Sequence, residues 1–196
     1  MIYRDVINHA IDTYGDRVAI NCKKESGLTH LDIDKSSNAI IARFLDAGLE
    51  KGDKIALYMG NCHHYREMFW VAGKAGFVLI PVNGRLKPRE ILHIINDSEA
   101  KALVVGAGYE SVIEEIRSEL LNTRHFYSVD PGVEGYAYLG TSIEDYAADA
   151  PEVALTEDDL LWFQYTSGTT GLPKGAMLTQ GIAGAIIEIC HSAIRD

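Results

Sequence analysis

Apolar residues recur along this chain in two rhythms, one at helical spacing and one in short continuous or alternating runs, and the two rhythms take turns. Val6, Ala10 and Tyr14, with Ile7 and Ile11 beside them, predict an amphipathic helix over residues 2–14. Residues 17–22 predict a strand. Thr29 followed by Asp32 is a capping-box pattern that opens a helix reaching about Ala47. Ile33, Ile40, Ile41, Phe44 and Leu45 form its apolar side, and Gly48 is its expected stop. Residues 54–59 predict a strand and 63–74 a helix. The run 77–82 is apolar throughout, as in a strand covered on both faces. Pro88, at a first helical position, opens a helix through Asn96. Residues 101–105 predict a strand, 111–121 a helix and 125–130 a strand, and 131–140 reads as loop. Thr141 with Glu144 makes a second capping box for a short helix. Residues 160–165 and 174–179 predict strands, and 182–194 a closing helix with Thr179 as N-cap. Such alternation predicts an α/β fold: a three-layer sandwich with a mainly parallel sheet between helices.

Composition narrows the class. The chain has 196 residues, 47% apolar and 23% charged, which suits a globular domain and not a disordered segment. A net charge of −10 and a pI near 5.1 repel phosphate backbones, so no nucleic-acid partner is expected. Cys22, Cys62 and Cys190 are too few and too scattered for a disulfide framework and fit a reducing compartment. The first residues carry Arg4, Asp5 and Asp12 and form no signal peptide. The most apolar stretch, 69–82, is broken by Lys74, ends at Pro81 and falls short of the roughly 20 residues of a membrane span. A cytoplasmic location is the expectation.

One loop concentrates the chemistry. Residues 165–176 read Tyr-Thr-Ser-Gly-Thr-Thr-Gly-Leu-Pro-Lys-Gly-Ala, directly behind a buried-type strand. Gly168 and Gly171 let the backbone approach a ligand, so that consecutive N–H groups can converge on an anion. Thr166, Ser167, Thr169 and Thr170 offer hydroxyl donors, and Lys174 adds a full positive charge. A Gly- and Thr-rich surface linker is the plain alternative. The flanking strands and the single lysine argue against it. The spacing from either glycine to a Lys-Ser/Thr pair fails, so this is no Walker A loop.

Tyr165 to Thr179, YTSGTTGLPKGAMLT, resembles the signature loop of the adenylate-forming superfamily, which includes acyl-CoA synthetases, firefly-type luciferases and nonribosomal-peptide adenylation domains. The likeness extends upstream through Lys51-Gly52-Asp53, Ala75-Gly76-Phe77 to Asn83, Arg85-Leu86, and Asn96-Asp97-Ser98 with Ala100-Lys101, and so covers nearly the whole chain. It implies that residues 1–165 are the first α/β subdomain of the large N-terminal domain, 166–175 the phosphate-binding loop, and 176–196 the start of the next subdomain. It implies ATP, Mg²⁺ and coenzyme A as partners of a fatty acid CoA ligase. A carboxylic acid would become an acyl-adenylate with release of pyrophosphate, and a thiol would then displace AMP. Carried over by position, Thr166, Ser167, Gly168, Thr169, Thr170, Gly171 and Lys174 would contact the β- and γ-phosphates. Lys174 would serve in catalysis, and Thr166 would help hold Mg²⁺. The family's later motifs, for adenine, ribose and the metal-binding glutamate, have no counterpart in these residues. The chain alone is therefore expected not to adenylate, and apolar surface left open is expected to favour self-association. Two departures stand out: Gln180 where the family often has His, and Gly60-Asn61-Cys62-His63-His64 in place of a Pro-Asn-Ser-Pro-Glu type of turn.

Other readings are weaker. Gly106, Gly108 and Ser111, between a strand and a helix with Asp130 ending the next strand, are a partial dinucleotide fingerprint lacking its third glycine. Cys62, His63 and His64 are adjacent potential ligands without a second pair, so a polar turn entering a helix is the expected reading. Cys190 and His191 are expected to be ordinary residues of the last helix. A non-catalytic interaction module on the same fold is the third class.

Overall fold

The structure is a computed structural model describing residues 1–21, 27–140, 152–166 and 173–195. Helices α1 (Tyr3–Tyr14), α2 (His30–Asp46) and α3 (His63–Ala75) cover one face of a seven-stranded sheet. Helices α4 (Pro88–Asp97) and α5 (Glu110–Ile116) cover the other. The sheet strands are β3 (Lys54–Tyr58), β4 (Val78–Pro81), β5 (Ala102–Val105), β6 (His125–Ser128), β7 (Ala137–Tyr138), β8 (Leu160–Thr166) and β9 (Lys174–Thr179), in the order β7-β6-β5-β3-β4-β8-β9. Every pairing is parallel except β8 with β9. The expected three-layer α/β sandwich with a mainly parallel sheet is the fold found.

The strand alternation sorts side chains between the two layers. Ile55 and Leu57 of β3 point into the core under α2 and α3, and Ala56 and Tyr58 into the core under α4 and α5. Strands β4 and β5 repeat the pattern with Leu79 and Val104 on one side and Ile80 and Leu103 on the other. All are buried, which is why these strands read as continuous apolar runs. Each buried Ile, Leu or Val among them contributes roughly 1.5–3 kcal/mol of burial free energy.

Local signals placed the helix starts. The Thr29 hydroxyl accepts from Asp32 N at 3.1 Å, and the Asp32 carboxylate accepts from Thr29 N at 2.9 Å, closing the box that starts α2. Pro88 opens α4. The last helix, α6 (Gln180–Arg195), is capped by Thr179 Oγ1, which accepts from Ile182 N at 3.2 Å.

Several expectations change. The first strand shortens to β1 (Val18–Ile20) and pairs antiparallel with an unforeseen β2 (Leu28–Thr29), apart from the main sheet. The helix expected over 111–121 ends at Ile116 and tightens into a 3₁₀ turn over Arg117–Glu119. The loop 131–140 contains β7. The helix expected after Thr141 lies outside the described residues. The segment 176–196 is joined to the rest through the β8–β9 ladder and the packing of α6 on α1.

Candidate functional site

In a parallel sheet the carboxyl ends of the strands share one edge, and loops leaving that edge converge. The loop after β8 leaves there and returns as β9. Thr166 and Lys174 are directly opposed in the antiparallel β8–β9 register. Opposed residues project on the same face, with Cβ atoms about 4.5–5.5 Å apart. The two ends of the candidate loop, one hydroxyl and one ammonium, are thus brought together, and both are exposed. Ser167, Gly168, Thr169, Thr170 and Gly171 lie outside the described residues.

The base of this hairpin is fastened to α4. Tyr165 Oη donates to Asp97 Oδ2 at 2.7 Å. His93 Nε2 donates to the Pro173 carbonyl at 3.2 Å. The Tyr165 ring crosses over Gly175: a Cβ on Gly175 would stand 3.0 Å from Tyr165 Cζ and 3.1 Å from Cε2. Any larger residue there would have to displace the ring by a few tenths of an ångström. Burial, followed by the Asp97 carboxylate that accepts its proton, pushes the Tyr165 hydroxyl well above the usual phenol range. It therefore remains a donor at all ordinary pH. Sequence reasoning missed His93, Asp97 and the ring over Gly175 as supports. The signal available was the glycine directly after Lys174.

Beside the hairpin base lies a cavity of about 280 Å³ lined by Tyr65, Phe69, Val82, Asn83, Gln164 and Tyr165, among others. Aromatic and amide groups share its wall. A larger cavity of about 940 Å³ opens at the carboxyl ends of β3, β5 and β6. Here α3 and α5 leave neighbouring strands toward opposite faces of the sheet, a topological switch point.

Gly106 sits against Met59 so closely that a Cβ would lie 2.4 Å from Met59 Cβ. Tyr109 then packs edge-on to Tyr58, with ring centroids 4.9 Å apart. The partial dinucleotide fingerprint thus answers to strand-end packing. Gln180 is fully buried: its Nε2 donates to the Ala72 carbonyl at 3.3 Å, while Oε1 has no partner among the described residues.

The model of the AMP-binding enzyme family matches residues 7–193. The chain belongs to that family. Its relatives include the crotonobetaine/carnitine–CoA ligase of Escherichia coli O17:K52:H18 (strain UMN026 / ExPEC), 29% identical over 187 residues, a match covering 90% of this chain and 36% of the relative. Among solved structures, a fatty acyl CoA synthetase of Mycobacterium tuberculosis superposes with a TM-score of 0.79 at 27% identity, over 91% of this chain and 34% of that one. The anthranilate CoA ligase AuaEII, in complex with anthranoyl-AMP, gives a TM-score of 0.85 at 22% identity, over 92% and 35% of the two chains, and shows the shared fold. This member of the AMP-binding family is homologous to acyl-CoA ligases and spans about a third of the length of the relatives it matches.

Proposed function

We propose that this chain forms the part of an ATP-dependent acyl-CoA ligase that grips the departing pyrophosphate. The observation carrying the reading is the pairing of Thr166 with Lys174 at the carboxyl edge of the sheet, with the family's loop between them. A carboxylate is a poor acyl donor and a mixed anhydride with AMP a good one. The carboxylate oxygen attacks the α-phosphorus, the bond to the β-phosphate bridging oxygen breaks, and pyrophosphate leaves. A thiol of coenzyme A then attacks the acyl carbon and AMP departs. Charge builds on the leaving pyrophosphate, and that is where Lys174 acts. An ammonium beside converging N–H and hydroxyl donors stabilises it.

In this reading Ser167, Gly168, Thr169, Thr170 and Gly171 contact the β- and γ-phosphates together with Thr166 and Lys174. The Thr166 hydroxyl is a hard oxygen donor and fits a Mg²⁺ that keeps most of its shell as water and phosphate oxygen. Mg²⁺, when bound, neutralises phosphate charge. The described strands of the hairpin, β8 and β9, carry no carboxylate that could compete for that role. A fatty or other apolar acid as substrate and a cytoplasmic setting complete the reading. Among the described residues, no helix is long and apolar enough to cross a membrane.

The test is calorimetric titration of the chain with Mg-ATP and with pyrophosphate, repeated on Lys174→Ala. A charge-assisted hydrogen bond contributes about 1.5–3 kcal/mol, so the variant should bind roughly tenfold to a hundredfold more weakly. Equal affinity in the two proteins overturns the role of Lys174. The 196-residue chain by itself is expected to show no acid-dependent ATP–pyrophosphate exchange.

A further inference from the structure

The larger cavity carries a cluster that the ligase reading does not use. His63 and His64 open α3, and Glu67 follows one turn later on the same helix. From the sequence, Cys62, His63 and His64 were adjacent potential ligands without a second pair. The fold supplies a third one in Glu67. The donor atoms of His63, His64 and Glu67 all lie within 4.8 Å of one another. All three residues line the 940 Å³ cavity.

We propose that His63, His64 and Glu67 bind a divalent transition-metal ion of the zinc type, with an open coordination position facing the cavity. Two imidazole nitrogens and one carboxylate oxygen form a borderline donor set suited to Zn²⁺ and poorly suited to Mg²⁺ or Ca²⁺. Around zinc, at about 2.0–2.2 Å per ligand, neighbouring donors in a tetrahedron stand roughly 3.3 Å apart. The present spread of up to 4.8 Å would have to close by about 1.5 Å on binding. His64 Nδ1 now donates to Glu67 Oε2 at 2.6 Å, and the ion would take that proton's place.

A supporting shell is already built. Glu67 is buried, and its other oxygen, Oε1, accepts from Ser36 Oγ at 2.8 Å. Ser36 lies on α2, across the helix interface, and is itself buried. This bond fixes the carboxylate plane without occupying Oε2, as an outer-shell partner of a metal ligand should. The His63 and His64 rings are tilted at 44° to each other with centroids 3.9 Å apart, and a nitrogen of each comes within 4.8 Å of the other and of a Glu67 oxygen. Asn21 and Asp130 line the same cavity and add polar groups to its wall.

The experiment is titration of the whole 196-residue chain with Zn²⁺ by calorimetry, followed by Co²⁺ substitution and absorption spectroscopy. The proposal expects one ion per chain, at least a tenfold loss of affinity in His63→Asn and in His64→Asn, and a loss of about tenfold in Ser36→Ala. The metal-free melting temperature of each variant, measured alongside, separates lost binding from lost folding. Unchanged affinity in both histidine variants overturns the site, as does an absence of stoichiometric uptake. A thiolate-to-Co²⁺ charge-transfer band would place a cysteine in the shell and overturn this donor set.

Discussion

Lys74 tests how the helical layer behind the sheet is held. It lies in the last turn of α3, and its side chain is 7% exposed. Its Nζ donates to the Asp34 carboxylate, to the Asp34 carbonyl at 3.2 Å, to Ser37 Oγ at 3.0 Å and to Asn38 Oδ1. All these acceptors belong to α2, so one ammonium ties α3 to α2. Arg4 of α1 donates in turn to the Lys74 carbonyl at 2.6 Å. Burial pulls the Lys74 pKa down, and Asp34 opposes that pull without cancelling it. The pair therefore holds two charges in a poor medium for charge. Removing only the lysine should be the worst choice. Lys74→Met keeps the length and apolar stem but leaves Asp34 unpaired and the Ser37 and Asn38 oxygens short of a donor. Breaking a buried pair costs about 3–5 kcal/mol. Asp34 is 19% exposed and can recruit water, which favours the lower end, about 3 kcal/mol. At a urea dependence of about 2 kcal/mol per M, the unfolding midpoint should fall by about 1.5 M. The double change Asp34→Asn with Lys74→Met should recover at least half of the loss, because no uncompensated charge remains. A midpoint shift below about 0.5 M for the single variant, or no recovery in the double, refutes this account.

Other predictions concern the hairpin, the edge and pH. Tyr165→Phe should cost about 1 kcal/mol of stability and weaken pyrophosphate binding, since the ring remains while its tie to Asp97 is lost. Gly175→Ala should push the same ring aside, so in a double-mutant cycle the two changes should sum to clearly less than their separate costs; strict additivity would separate the ring from the tie. For Asp159, burial raises the carboxyl's pKa, but hydrogen bonds from Lys51 Nζ and Thr156 N outweigh it and hold the pKa below 3.8. Its stabilising contribution should be complete above pH 3.8 and fade as pH falls through the lower folded value, so the melting gap between wild type and Asp159→Asn should close in acid and not in base. Met177, Ile182 and Ile186 are 63%, 45% and 46% exposed on β9 and α6, and sedimentation equilibrium should show concentration-dependent association of the chain that Ile182→Lys with Ile186→Lys removes.

What the sequence could reveal was set by the range of each interaction. The Thr29–Asp32 box, Pro88 at the start of α4 and Thr179 at the start of α6 act within a turn, so the residue letters sufficed. The run 77–82 declared a strand covered on both faces, and 54–59 a strand, because apolar side chains fill both sides of the sheet. Partnership across the sheet was not legible: β5 pairs with β3 and not with the β4 that precedes it, a choice made by packing between layers. Lys74 is the sharpest instance. Along the chain it reads as a polar break in an apolar stretch, yet it is buried, and its acceptors Asp34, Ser37 and Asn38 come from another helix. The same holds at both candidate sites. Thr166 and Lys174 stand out as chemistry, but their face-to-face placement needs the β8–β9 register, and the support from His93 and Asp97 comes from α4. His63 and His64 stand out as ligands, while Glu67 gains its meaning only when α3 turns it beside them and Ser36 of α2 orients it. In each case the reacting groups are local in sequence and the groups that aim them are not. Substitutions in the aiming groups should therefore report on function in positions that no local motif contains.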